Sequence, residues 1–175
     1  MFKMVVVLSS IAISIFILYV VISLCVFQKI PTSLSNTYYM YKEKKEWLKY
    51  LFPVMMFSVA GLLMPTWLEA TEGSYLQFLS FLTCAAIMFV GAAPNFKGTK
   101  LESTVHSASA IIAAICAMFW CLFVVGSWGV ILSYLVIFLI IALCTKTLKS
   151  AYIFWLEMVA FMSMFLSLII YLIVM

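Results

Sequence analysis

Six long apolar stretches, joined by short polar connections, dominate this chain. A transmembrane helix needs about 20 apolar residues to cross about 30 Å of hydrocarbon. We therefore predict an all-α fold: one integral membrane domain over residues 1–175, built as a six-helix transmembrane bundle. The predicted spans are 4–27, 48–68, 73–94, 104–125, 128–145 and 151–174. Residues 104–145 as one helix would be about 63 Å long, about twice the thickness of the hydrocarbon. We therefore predict that the chain turns at Gly126.

The charge composition agrees with burial in lipid. Only 9% of the residues are charged, whereas a soluble domain has about 25%. All ten cationic residues are lysines. Arginine, the usual residue for bidentate phosphate recognition, is absent, so we predict no nucleic-acid partner. The five cysteines lie in apolar runs without a CxxC pair, which is typical of buried hydrophobic residues and not of a metal site.

The lysines indicate an orientation in the membrane. Cytoplasmic connections of membrane proteins carry an excess of lysine and arginine. With six spans, nine of the ten lysines fall on one side and only Lys3 falls on the other. The stretch 4–27 is longer than the 7–15 residues of a signal-peptide core, so we expect a retained helix. We predict a multi-pass protein of the inner or plasma membrane, with both termini outside the cytoplasm.

Residues 28–47 form the longest polar segment and are predicted to be cytoplasmic. Aromatic rings and lysines interleave there, as in helices that lie at the headgroup level over anionic lipid. The residues expected to contact lipid in this way are Tyr38, Tyr39, Lys42, Lys44, Lys45 and Trp47. The alternative is a loop that partly caps the bundle.

The distribution of small residues predicts how the helices pack. Transmembrane helices associate through small side chains, because lipid tails are as apolar as leucine. Alanines at 110, 113, 114 and 117 and the sequence Gly91–Pro94 predict tight contact between spans three and four. Spans one, five and six carry larger apolar residues and are expected to face lipid. Aromatic residues near span ends, among them Trp67 and Trp128, are expected to form interfacial belts.

Three ionisable residues stand out near the cytoplasmic ends of the spans. Glu157 lies about 9 Å into the sixth span at 1.5 Å per residue, and a charge in hydrocarbon is costly unless it is paired. His106 is the only histidine, and Glu102 lies one helical turn before it. We predict a polar cluster of Glu157, His106 and Glu102. It would act either as a proton-titrating transport site or as a polar clasp between spans six and four. The alternatives are that Glu157 pairs with Lys146, Lys149 or Tyr152, or that it simply reaches the headgroups.

The sequence offers weak support for catalysis. His106, Glu102 and Glu157 would supply the minimum of three ligands for a catalytic zinc, but no pair at HxxxH spacing is present. A GxSxG nucleophile elbow is also missing. We therefore predict no catalytic residue, no metal and no cofactor, and we favour a non-enzymatic protein.

Four stretches carry a resemblance to known sequences: IPTSLSNTYY at 30–39, PTWLE at 65–69, FVGAAPNFKG at 89–98 and ESTVHSASA at 102–110. Together they resemble uncharacterised short multi-pass membrane proteins of gut Bacteroidetes and their phages. The likeness covers residues 28–125 and implies a multi-pass membrane protein without implying an activity.

Three functions follow as expectations. The first is a non-enzymatic transport or channel-type protein, or an accessory subunit that modifies the membrane. The second is a membrane-embedded enzyme that acts at the cytoplasmic face through His106 and Glu157. The third is a structural subunit of a larger membrane complex. The expected partners are the lipid bilayer and, for a pore, further copies of the chain.

Overall fold

The computed structural model describes residues 2–174, with side chains described from residue 4 onward. Within these residues the chain forms seven α-helices and one 3₁₀ helix, without a β-strand, which confirms the all-α prediction. The α-helices are α1 (Phe2–Phe27), α2 (Thr37–Lys44), α3 (Leu51–Ala70), α4 (Gln77–Ala92), α5 (Lys100–Phe123), α6 (Trp128–Cys144) and α7 (Tyr152–Val174). The 3₁₀ helix spans Glu46–Tyr50 and leads directly into α3.

Four helical segments are long and apolar enough to cross a membrane. They are Met4–Phe27, Glu46–Ala70, Lys100–Phe123 and Tyr152–Val174. Helices α4 and α6 are apolar but have only 16 and 17 residues, fewer than the about 20 that a span needs. Helix length alone thus supports a membrane protein with four of the six predicted spans.

Helix α4 is shorter than its predicted span because the chain turns at both of its ends. Before the helix, Gly73 adopts a positive φ of 81°, which glycine tolerates without steric cost. After it, Ala93 leaves the helical region with φ −114° and ψ 56°. Ala93 precedes Pro94, and the residue before a proline is disfavoured in the α conformation.

Both ends of α5 follow local sequence signals. At its start, the Thr99 hydroxyl accepts from the Glu102 N–H at 3.2 Å, and the Glu102 carboxylate accepts from the Thr99 N–H at 3.2 Å. This capping box satisfies N–H groups that have no partner within the helix. After the helix, Gly126 turns the chain with a φ of 69°, and α6 begins at Trp128. The predicted turn at Gly126 is confirmed.

Five helices form a ring. Helix α1 packs on α3, α3 on α4, α4 on α5, and α5 on α7, while α7 closes the ring by contacting α1 and α3. Helix α6 packs on α7 and buries a single residue, Ala142. The predicted contact between spans three and four is present as α4 against α5. Helix α7 is not as peripheral as predicted for span six, because ten of its residues are buried, although its outer side, which includes Leu156, is exposed.

Gly91 sits where α4 passes closest to α3. A Cβ atom at this position would lie 2.9 Å from the Met56 Cβ, an atom that cannot move without its backbone. We expect Gly91→Ala to destabilise the protein by about 1–3 kcal/mol through overpacking. Gly61→Ala is the matched control, because its Cβ would meet nothing nearer than the Met88 terminal methyl at 4.0 Å.

The free energy of unfolding of each variant is measured by SDS titration, with far-ultraviolet circular dichroism as the signal. Alanine in a helix interior is favoured over glycine by about 0.5–1 kcal/mol, so Gly61→Ala should equal or exceed the wild type. Equal stability of the two alanine variants would contradict the close approach of α3 and α4.

Candidate functional site

A cavity of about 280 Å³ lies between α3, α4, α5 and α7. Its wall is almost wholly apolar, with Met56 from α3, Ile87 and Val90 from α4, and Phe161 and Met164 from α7. The volume is about twice that of the roughly 150 Å³ apolar cavity that binds benzene, and it approaches the smallest drug-sized pockets of about 300 Å³. The cavity therefore has room for a small organic molecule.

The small side chains of α5 leave this space open. Ala110, Ala113, Ala114 and Ala117 all line the cavity, and their spacing places them on one helix face. The sequence pattern predicted close helix packing at these alanines. The structure shows packing of α5 against α4, and beside it an unfilled volume toward α7.

The cavity opens sideways between α5 and α7. Ile111 and Leu156 line it and are 59% and 57% exposed, so they form its rim on the apolar outer surface. An apolar outer surface on a helix that can span a membrane faces lipid. The opening thus lies on the apolar outer surface of two helices that are long enough to span a membrane.

Glu157 supplies the only charged side chain in the described cavity wall. One oxygen of its carboxylate, Oε2, accepts a hydrogen bond from the Leu34 backbone N–H at 2.6 Å. Thr83 is the other polar residue of the wall, and its hydroxyl already donates to the Leu79 carbonyl at 2.8 Å. The hydroxyl of Thr83 can therefore only accept from a ligand, and the Glu157 carboxylate is the charged acceptor of the described wall.

Leu34 belongs to a segment that we call the strap, residues 28–41, which folds over one end of the bundle. Besides the contact with Glu157, the Phe154 N–H of α7 donates to the Thr32 carbonyl at 3.2 Å. On the other side, the strap is bonded to α1 through Tyr19 with Thr37 and through Ser23 with Tyr41. The strap therefore joins the first and last long helices at the end of the bundle where Glu157 lies.

The strap corrects part of the predicted lipid contact. Tyr38 and Tyr41 are buried, and Leu34 is only 1% exposed, so Tyr38 does not reach headgroups. A ring that buries its apolar body among helices gains packing partners that lipid would not provide. Lys42, Lys44, Lys45 and Trp47 are exposed, and their contact with lipid stays a prediction. The position of the strap over one end of the bundle agrees with the alternative prediction for residues 28–47, a loop that partly caps the bundle.

Tyr39 is half-buried and holds the strap to the connection between α4 and α5. Its hydroxyl donates to the Asn95 side-chain oxygen at 3.2 Å and accepts from the Lys97 N–H at 2.7 Å. Its ring stands edge-on to Phe96, with the Lys97 ammonium 4.6 Å from the Tyr39 ring centre. Burial raises the pKa of the Tyr39 hydroxyl, so it remains the donor to Asn95 at neutral pH.

The predicted cluster of Glu157, His106 and Glu102 is not formed. His106 is buried, with Nδ1 2.9 Å from the Ala93 carbonyl and its ring stacked on Phe96. Glu102 closes the capping box with Thr99 and accepts from the Asn95 amide at 3.4 Å. Since α5 packs its histidine face against the end of α4, each of the three residues has a different partner.

Glu157 still joins two parts of the fold, but not the two that were predicted. It holds α7 to the strap and not to α5. This partner could not be predicted from the sequence, because the donor is a backbone N–H that every residue except proline carries. The one available hint was the position of Glu157 near the start of its span, at the depth of the polar segment 28–47.

The described residues do not bring metal ligands together. Within residues 2–174, His, Cys, Asp and Glu side chains form no group of three that could hold a metal ion. What the site combines is an apolar volume, a lateral opening and one carboxylate.

No protein-family model matches the chain, and no curated protein and no solved structure matches it either.

Proposed function

We propose that the chain is a six-span protein of the inner or plasma membrane with both termini outside the cytoplasm. Helices α4 and α6 rise about 24 Å and 26 Å at 1.5 Å per residue, and spans of about 17 residues occur. Helix α4 packs between α3 and α5, both long enough to span. This arrangement also leaves nine of ten lysines on one side, in agreement with the positive-inside rule.

In this membrane setting, we propose a non-enzymatic, transport-type protein that binds a small apolar or amphipathic molecule from the bilayer. The observation that carries the proposal is the apolar cavity between α3, α4, α5 and α7, open toward lipid at Ile111 and Leu156. A cavity of this kind, with few polar groups in an apolar wall, is typical of small-molecule sites.

The separation of His106 from Glu157 favours binding over catalysis. A general acid or base must lie within about 2.6–3.2 Å of its proton partner. Glu157 reaches the Leu34 amide, while His106 is bonded to the Ala93 carbonyl. The enzymatic alternative needs these two side chains at one site, so the geometry supports it less well.

We expect Ala114→Phe to abolish ligand binding by filling the cavity. Ala114 lines the cavity on α5, and a phenyl ring there would occupy much of the space between α5 and α7. Ala108→Phe is the matched control, because Ala108 is an exposed residue of the same helix. The probe is N-phenyl-1-naphthylamine, whose fluorescence rises in apolar surroundings.

The assay uses protein in lipid nanodiscs, with empty nanodiscs subtracted to remove partition into lipid. Wild type and Ala108→Phe should show saturable binding of one probe per chain, and Ala114→Phe should bind about tenfold more weakly or not at all. Saturable binding unchanged by Ala114→Phe, or none in the wild type, would refute the proposal. If Ala114→Phe does not fold by gel filtration, Ala114→Leu carries the same test.

A further inference from the structure

We infer that the cavity selects a small lipophilic amine in its ammonium form. The apolar body would occupy the alanine-lined space, and the ammonium would pair with the Glu157 carboxylate. This inference rests on the proposed function, because it assigns a ligand class to the same cavity. Its basis is the chemistry of the wall: one acidic group in an otherwise apolar enclosure.

Glu157 has no cationic partner among the side chains that the structure describes, residues 4–174. Among the described residues, the only ion pair joins Lys49 and Glu46 at the start of the α3 segment. None of the lysines within or just after the strap and in the later connections, at positions 29, 42, 44, 45, 97, 100, 146 and 149, lines the cavity. A ligand cation would therefore supply the counter-charge that this carboxylate lacks.

The hydrogen bonding of Glu157 leaves room for this pairing. The Leu34 N–H occupies one site on Oε2 at 2.6 Å. An ionised carboxylate offers about four lone-pair sites on two oxygens, and the remaining sites have no donor among the described residues. A charged N–H donor on such a site forms a hydrogen bond about twice as strong as a neutral one.

The wall also distinguishes between kinds of cation. Quaternary ammonium groups are recognised by cages of several aromatic rings, and Phe161 is the only aromatic residue among the described residues of the wall. An ammonium with N–H groups instead needs an oxygen acceptor, which Glu157 provides. An anionic ligand of the same shape would place a second negative charge beside Glu157 and would be rejected.

The position of Glu157 sets the orientation of the ligand. The carboxylate lies near the start of α7, beneath the strap, while the alanines of α5 line the interior away from it. The amine end should therefore face the strap, and the apolar end should point into the bundle. This places the charged end of the ligand at the lysine-rich side of the protein.

The test compares three naphthalene ligands of nearly equal size in competition with N-phenyl-1-naphthylamine, in nanodiscs at pH 7. They are 1-naphthylmethylamine (a cation), 1-naphthalenemethanol (neutral) and 1-naphthaleneacetate (an anion). We expect the amine to bind about tenfold or more tightly than the alcohol, and the anion to bind most weakly. Partition of each ligand into empty nanodiscs is measured separately and subtracted.

The variant Glu157→Gln isolates the charge. Glutamine keeps a carbonyl oxygen that accepts the Leu34 N–H, so the contact with the strap is retained while the negative charge is removed. In this variant the amine should lose its advantage over the alcohol. An amine preference that persists in Glu157→Gln would overturn the inference. Glu157→Asp, which keeps the charge, should retain a preference for the amine.

The outcomes separate this inference from the proposed function. Equal binding of amine and alcohol to the wild type, with both abolished by Ala114→Phe, would overturn the ligand class and leave the binding cavity intact. Absence of saturable binding for all three ligands and for the probe would overturn both. If Glu157→Gln does not fold, the ranking of the three ligands on the wild type decides the question alone.

Discussion

Replacing Trp67 by alanine should lower the free energy of unfolding by about 3–5 kcal/mol, the usual cost of removing a large buried aromatic side chain. Trp67 is 0% exposed, and its ring stands edge-on to that of Trp120 at 4.9 Å, which in turn contacts Tyr171 at 5.7 Å. These three rings join α3, α5 and α7. Removing the first would leave a cavity where the three helices meet.

The loss should come from packing alone. Neither Trp67 Nε1 nor Trp120 Nε1 has a hydrogen-bond partner among the described residues, so the substitution breaks no hydrogen bond to this part of the chain. Trp128→Ala is the matched control, because Trp128 is 58% exposed at the start of α6. Its replacement should change stability by about 0.5 kcal/mol or less, as for most exposed positions.

The free energy of unfolding of both variants is measured by SDS titration. Far-ultraviolet circular dichroism is the signal, since tryptophan fluorescence would itself change with the substitution. A loss for Trp67→Ala no larger than that for Trp128→Ala would show that Trp67 is not part of the packed core. Such a result would return Trp67 to the interfacial belt that its position near a span end predicts.

Trp67 also shows where the sequence was ambiguous. A tryptophan near the end of an apolar stretch is typical of the membrane interface, but the same position also suits a ring buried among neighbouring helices. Helix faces that touch lipid and faces that touch protein are both apolar, so hydropathy does not separate them. For the same reason the ten buried residues of α7 were not expected.

Features coded by local chemistry were predictable. Apolar length located a helix at each of the six predicted stretches, and Gly126 located the turn before α6. Pro94 explains the early end of α4. The boundaries differ by a few residues where caps and turns, and not hydropathy, end a helix. Alternation of lysines predicts an orientation that depends on six spans, whereas helix length supports four of those spans and does not test the orientation.

The candidate site was harder to predict because it depends on contacts between distant parts of the chain. The alanines at 110, 113, 114 and 117 were recognised as one face of a helix, yet nothing in the sequence told whether a neighbour would fill the space beside them. Glu157 was recognised as an acid within a predicted span. Its partner was assigned to His106 by depth, whereas the actual donor is the Leu34 amide, 123 residues away in the chain.

The strap gives the second large expected effect, because its buried residues connect helices that are far apart in sequence. Leu34→Ala should destabilise the protein by about 2–5 kcal/mol, the range for truncating a buried leucine. Leu34 is 1% exposed, its carbonyl accepts from the Thr37 hydroxyl, and its N–H donates to Glu157. A void beneath Leu34 should therefore loosen the strap as a unit.

Limited proteolysis with trypsin distinguishes a packed strap from an interfacial anchor. Lys29 and Lys42 flank the buried part of the strap and are exposed, but cleavage requires the backbone around them to open. Leu34→Ala should raise the rate of cleavage after both lysines relative to the wild type. The control is Leu101→Ala, at a residue that is 73% exposed at the start of α5, which should change neither the cleavage rate nor the stability. Equal rates in all three proteins would mean that the strap contributes little to the closure of the bundle, and that residues 28–41 rest on the membrane surface instead.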